Sequence, residues 1–192
     1  MLISPEYKAQ QETLHSRGNY GVTAKKYGGL ISRIIDNAGI KHLLDYGCGS
    51  NLSLTETLKP SGDLKYQAYD PGVEAYADNP VPADMVCCVD VLEHIEPECL
   101  DNVLDHLEEL TESVVFVSIH TGPAGKTLED GRNAHLIQQP MEWWLPKLWD
   151  RFNIQTFQVV SDVEFFVVGH AAGLELESGP KPITNGVNIW PS

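Results

Sequence analysis

The stretch HLLDYGCGSNLSLTETL, residues 42–58, decides the fold. Leu43 and Leu44 run straight into Asp45 and two glycines, Gly47 and Gly49, and a helix-like pattern follows as far as Leu58. A buried parallel strand that turns sharply into a helix beside a ligand reads this way. Working outward, LKYQAYD (64–70) is a second strand ending on an acid. DMVCCVDVL (84–92) is a third, apolar on both faces, and SVVFVSIH (113–120) a fourth. Between the last two, Pro97 takes a favoured first-turn position, and Leu100, Val103, Leu104, Leu107 and Leu110 form a helical stripe.

Upstream, Tyr27, Leu30, Ile31, Ile34, Ile35 and Ala38 repeat at helical spacing, with Gly39 as the stop. The first forty residues read as helical throughout. LSLTETLKP is expected as a short helix ended by Pro60, and PMEWWLPKLWDRF as another, with Pro146 near its first turn or at a kink. IQTFQVVS and EFFVVGHAAG flank DV as an antiparallel hairpin. Strands alternating with helices imply a parallel sheet covered on both faces, so an α/β fold of three layers. Residues 1–177 read as one domain with an N-terminal helical cap (1–39), and 178–192 as a tail.

Net charge −14 over 192 residues repels phosphate backbones and disfavours a nucleic-acid partner. Cys48, Cys87, Cys88 and Cys99 form no CxxC pair and read as reduced, buried thiols of a cytoplasmic protein. The opening MLISPEYKAQQ is too polar for a signal peptide, and no apolar run approaches the roughly 20 residues of a membrane span. Oligomeric state is open.

A dinucleotide turn needs a third glycine where Leu52 stands, and the charge of Asp45 suits a cation better than a pyrophosphate. LLDYGCGSN, YQAYDPG and DMVCCVDVLEHIEPE together resemble the class I S-adenosylmethionine-dependent methyltransferases, over residues 40–112 and more weakly to the end. The resemblance implies a Rossmann-like sheet. The turn Gly47–Cys48–Gly49 would pass under the methionine and ribose, Asp70 would accept from the ribose hydroxyls, and Asp45 would hold the positive methionyl end. The backbone of Asp90, Val91 and Leu92 would lie along the cofactor, with Pro71 over the base and Tyr20 closing from the N-terminal side. Asn51 replaces the usual third glycine and would cap the next helix. Only thirteen residues, 71–83, separate the second strand from the next, so the family's third strand is expected to be absent or vestigial.

Methyl transfer to a hydroxyl needs alignment and removal of a proton. Glu93 and His94 stand just beyond the third segment and His135 follows the fourth, which makes them the candidate catalytic residues; His120 ranks below them. The group also resembles small-RNA 2′-O-methyltransferases and quinone-biosynthesis O-methyltransferases, which bind a divalent metal. That resemblance puts Mg²⁺, Mn²⁺ or Zn²⁺ on Asp90, Glu93, His94 and His135. TGPAGKT (121–127) partly matches a phosphate-binding loop, with Lys126 as its lysine, but lacks the first glycine and a following helix. At most one of Trp143 and Trp144 can face a pocket, and Cys87 and Cys88 read as core. The expected function is S-adenosylmethionine-dependent methylation of a small-molecule acceptor, at oxygen, with His- or metal-assisted deprotonation. The alternative is a non-catalytic module that binds S-adenosylmethionine or acts as a scaffold.

Overall fold

The computed structural model describes residues 1–16 and 22–173. Strands β1 (His42–Tyr46), β2 (Lys65–Tyr69), β3 (Ala83–Val89), β4 (Thr111–His120), β5 (Phe152–Ser161) and β6 (Glu164–Ala171) form one sheet in the order β2-β1-β3-β4-β6-β5. The first four are parallel, and β6 runs antiparallel to both β4 and β5. This is the expected α/β sheet with its C-terminal hairpin. The third strand of the fuller pattern is absent: between β2 and β3 there is only a 3₁₀ turn, Glu74–Tyr76, so β2 is the edge.

Side chains alternate across a strand, so each buried strand feeds two cores. Met85, Cys87 and Val89 face Ile31, Ile34 and Ile35 of helix α2 (Gly28–Ala38), while α1 covers Pro5–Ser16. Val86 and Cys88 face the opposite layer, where α3 (Leu100–Leu110) and α4 (Met141–Trp149) pack with Leu104, Leu107, Trp144 and Leu148. Each fully buried leucine stabilises by about 1.5–3 kcal/mol. Gly39 ends α2 in the left-handed conformation, φ 70°, its N–H donating to Ile35 O.

The helix expected at 52–59 is a single 3₁₀ turn, Ser53–Glu56. Its threonines compete with the helix ladder, Thr55 Oγ1 donating to Leu52 O and Thr57 Oγ1 to Lys25 O. Thr57 also fills the space beside Gly28, where a Cβ would lie 2.2 Å from its Oγ1. Pro146 lies inside α4, in its second turn.

Candidate active site

The strand order reverses at β1, whose chain successor β2 lies on one side and β3 on the other. Ligands of open parallel sheets bind at such a point, beyond the carboxyl ends of the strands. Here the Gly47 and Cys48 N–H groups both donate to Tyr69 O, at 2.7 and 3.1 Å, which bends the chain tightly over β2. Gly47 has φ +76°, and a Cβ on it would lie 2.4 Å from Val91 Cγ2. Asp70 ties the turn from below: its Oδ2 accepts from Gly49 N–H at 3.0 Å and its Oδ1 from Gly72 N–H at 2.9 Å. Asp45 is 2% exposed beneath the turn and accepts the Tyr66 hydroxyl proton at 2.5 Å. Burial pushes its pKa up to about 6, against the Tyr66 hydrogen bond and with help from the charge of Asp70.

These residues open onto one cleft. Asp45, Gly47, Cys48, Gly49, Asp70 and Pro71 line one side of it, and Asp90, Val91 and His94 another. Two expected residues are not among those that line it. The Leu92 side chain is fully buried in the core with α3 side chains, and the role expected of this residue is one of its backbone. Asn51 is exposed and does not line the cleft, and the residue before the 3₁₀ turn is Leu52, held at φ 47° without a side-chain cap of its own. Tyr20 lies outside the described residues.

The cleft also has walls that sequence reading missed: Leu2, Ile3, Tyr7 and Gln11 from the N-terminal segment, with Thr23 and Ser53. The available signal was Ile3, Tyr7, Gln11 and Leu14, spaced four, four and three apart as one helical face. That segment is clasped to the loop after β3. The Ser4 N–H and hydroxyl donate to Glu96 at 2.8 and 2.7 Å, and the Tyr7 hydroxyl to His94 O at 2.6 Å. Five buried side-chain atoms lack a hydrogen-bond partner among the described residues; Gln11 Nε2 and Ser53 Oγ belong to cleft walls, and Glu93 Oε2 to a residue beside Asp90.

Thr23, Asp90 and His94 are shared with a second cavity, whose other walls include His120, Lys126, His135 and Glu164. At this junction Asp90 is left-handed, φ 60°, and accepts the Thr23 hydroxyl proton at 2.7 Å. Burial pushes its carboxyl up, but the Thr23 hydrogen bond and nearby His94 outweigh that and keep it below the usual range. Glu93 is the reverse. It is fully buried, its Oε1 accepts His120 N–H at 2.6 Å, and burial together with Asp90 holds its proton on.

His135 donates Nδ1–H to Gly122 O at 2.6 Å, and burial depresses its pKa, so the ring is neutral with Nε2 as its basic nitrogen. The His94 ring lies edge-on to it at 4.6 Å and donates Nδ1–H to Ala134 O. Asp90, Glu93 and His135 offer ligand atoms within 4.8 Å of one another. The expected four-residue group is therefore three residues here, with His94 against His135 instead of in the group.

Asn133 holds the loop carrying His135, accepting from Ala124 and His135 N–H groups at 2.9 Å and donating to Ala124 O. A bridge between Thr127 and Asn133 turns this segment back on itself, so no helix follows the lysine of TGPAGKT and no phosphate-binding loop forms. Trp144 is fully buried between sheet and helix, Trp143 lies on the surface under Lys147, and neither lines the cleft. No helix among the described residues is long and apolar enough to cross a membrane.

A family model described as a methyltransferase domain matches residues 23–178, more than half of the chain. No curated protein matches it by sequence. Among solved structures, the 1,6-didemethyltoxoflavin-N1-methyltransferase of Burkholderia thailandensis, with bound 1,6-didemethyltoxoflavin and S-adenosylhomocysteine, superposes with TM-score 0.61 at 15% identity; 89% of this chain and 92% of that chain are covered. The complex of DhpI with SAH gives TM-score 0.56 at 14% identity, covering 89% of this chain and all of the other. TnmH gives 0.55 at 18% identity over 84% of this chain, which spans 57% of that protein's length. At such identities the likeness is one of fold.

Proposed function

Because this chain belongs to the methyltransferase-domain family and is an S-adenosylmethionine-dependent methyltransferase, we propose that it methylates a small-molecule acceptor at oxygen, with the His–carboxylate group removing the proton. The observation that carries this reading is the junction at Thr23, Asp90 and His94, which joins the cofactor cleft to a second cavity walled by imidazoles. S-adenosylmethionine supplies a methyl group already activated by its sulfonium. The protein's task is to align, exclude water and take a proton.

The cleft fits that cofactor. Gly47, free of a Cβ, lets the chain pass close beneath it. Asp70 offers two fixed acceptor oxygens to a ribose diol, and Asp45 a buried carboxylate to an ammonium group. An acceptor hydroxyl in the second cavity would meet the neutral His135, whose Nε2 takes the proton while charged Asp90 stabilises the resulting imidazolium. His94 packs against His135 and holds its ring in place. A cation that displaces the Glu93 proton would find its buried Oε2 without a hydrogen-bond partner among the described residues. In the metal-assisted form Asp90, Glu93 and His135 would hold a divalent metal, with His94 beside them, and the metal, in place of the His135 base, would lower the hydroxyl pKa. The charge of −14 favours a small acceptor over a nucleic acid.

The test pairs calorimetric titration of S-adenosylhomocysteine, with EDTA or Mn²⁺, with transfer of labelled methyl groups to a panel of hydroxylated and amine acceptors. Micromolar binding and labelled ethers or esters that disappear in His135→Ala are expected. Labelling of amines alone would overturn the oxygen assignment. Binding without transfer to any acceptor would favour the non-catalytic module.

A further inference from the structure

We infer that Gln11 is a cofactor-recognition residue, its side-chain amide reading the edge of the purine base; this rests on the cleft being the S-adenosylmethionine site. On α1, Tyr7, Gln11 and Leu14 are all buried on one face, and Gln11 is 7% exposed. An amide in that stripe costs stability unless it is hydrogen-bonded. Its Nε2 has no hydrogen-bond partner among the described residues. The neighbouring Tyr7 hydroxyl donates to the His94 carbonyl, and its oxygen lies beside the Gln11 amide without completing a hydrogen bond to it. A donor left over in a ligand cleft points to an acceptor on the ligand.

The position identifies which part of the ligand. A Cβ built on Gly72 would lie 2.9 Å from Gln11 Cβ, so α1 rides directly over the segment that follows Asp70. The base is attached to the ribose that Asp70 would hold, which puts the base beneath Gln11. Leu2, Ile3, Ile95 and Val103 line the same cleft and give a flat aromatic ring apolar walls. From the sheet edge, where a third strand would begin, there is only the Glu74–Tyr76 turn, and it does not line the cleft. The N-terminal helix therefore takes over recognition of the base, with Nε2–H donating to a ring nitrogen.

The experiment compares the wild type with Gln11→Met, and with Gln11→Leu as a second variant. Each is titrated with S-adenosylhomocysteine and its 1-deaza, 3-deaza and 7-deaza analogues. Both variants are expected to weaken S-adenosylhomocysteine binding about three- to tenfold, the worth of one buried hydrogen bond. One deaza analogue should lose the same factor with the wild type and nothing further with the variants. Thermal unfolding of the apo variants should be unchanged or raised, because the orphan amide is gone. Unaltered affinity in both variants would overturn the assignment, as would analogue losses that are the same with and without the amide. A lowered apo melting temperature with normal affinity would make Gln11 structural. Absence of binding to the wild type would overturn the cofactor site itself along with this assignment.

Discussion

Replacing Asp45 with asparagine separates what the buried carboxylate costs from what it does. Asp45 is 2% exposed, and its pKa is raised from 3.8 to about 6, mainly by burial. The folded protein therefore binds that proton more tightly than the unfolded chain. Its stabilising effect is complete below about pH 4 and is lost as pH rises through about 6. At pH 7.5 the ionised group costs about 3 kcal/mol, and at pH 5 about half of that. Asparagine keeps an acceptor for the Tyr66 hydroxyl and carries no charge. Urea unfolding of the apo protein should show Asp45→Asn more stable by up to about 3 kcal/mol at pH 7.5, with a smaller gain at pH 5. Titration with S-adenosylhomocysteine should show the opposite change, a loss of about tenfold to a hundredfold, the worth of a charge-assisted hydrogen bond to the ammonium. A variant no more stable than the wild type at pH 7.5 would refute the burial argument. Unchanged affinity would remove Asp45 from the cofactor.

Four further outcomes are expected. Gly47→Ala combines a left-handed φ of +76° with a contact of 2.4 Å to Val91. It should lose at least about 2 kcal/mol, or about 5 °C in Tm, and Val91→Ala should restore part of this. Ser53→Ala removes a buried, unpartnered hydroxyl at the cleft wall, so it should leave apo stability unchanged and weaken S-adenosylhomocysteine about threefold in calorimetry. Glu93→Gln should abolish Mn²⁺ binding measured by electron paramagnetic resonance if Asp90, Glu93 and His135 hold a cation, while His135→Ala should lower kcat about 10²- to 10⁴-fold. Retained Mn²⁺ affinity in Glu93→Gln would dismiss the three-residue metal site.

The sequence by itself determined the sheet, its missing third strand and the position of the glycine turn. Those signals are local: a buried strand reads as an apolar run, Gly47 and Gly49 mark a sharp turn, and thirteen residues cannot hold a helix and a strand. The same local reading failed at the helix after Asn51. Whether the ladder continues there depends on Lys25 and Gly28, which compete for Thr57 from about thirty residues away. Only the tertiary structure decided which side chains meet. Gln11 reaches Gly72, Ser4 reaches Glu96 and Thr23 reaches Asp90 through packing of the N-terminal segment over the strand ends. It also decided the charges, since Asp90 and Glu93 are chemically alike and three residues apart in sequence. Burial puts the proton on Glu93, while a threonine and an imidazole keep it off Asp90. Residue type and spacing are written along the chain, but desolvation and partnership arise only when distant segments close around a group.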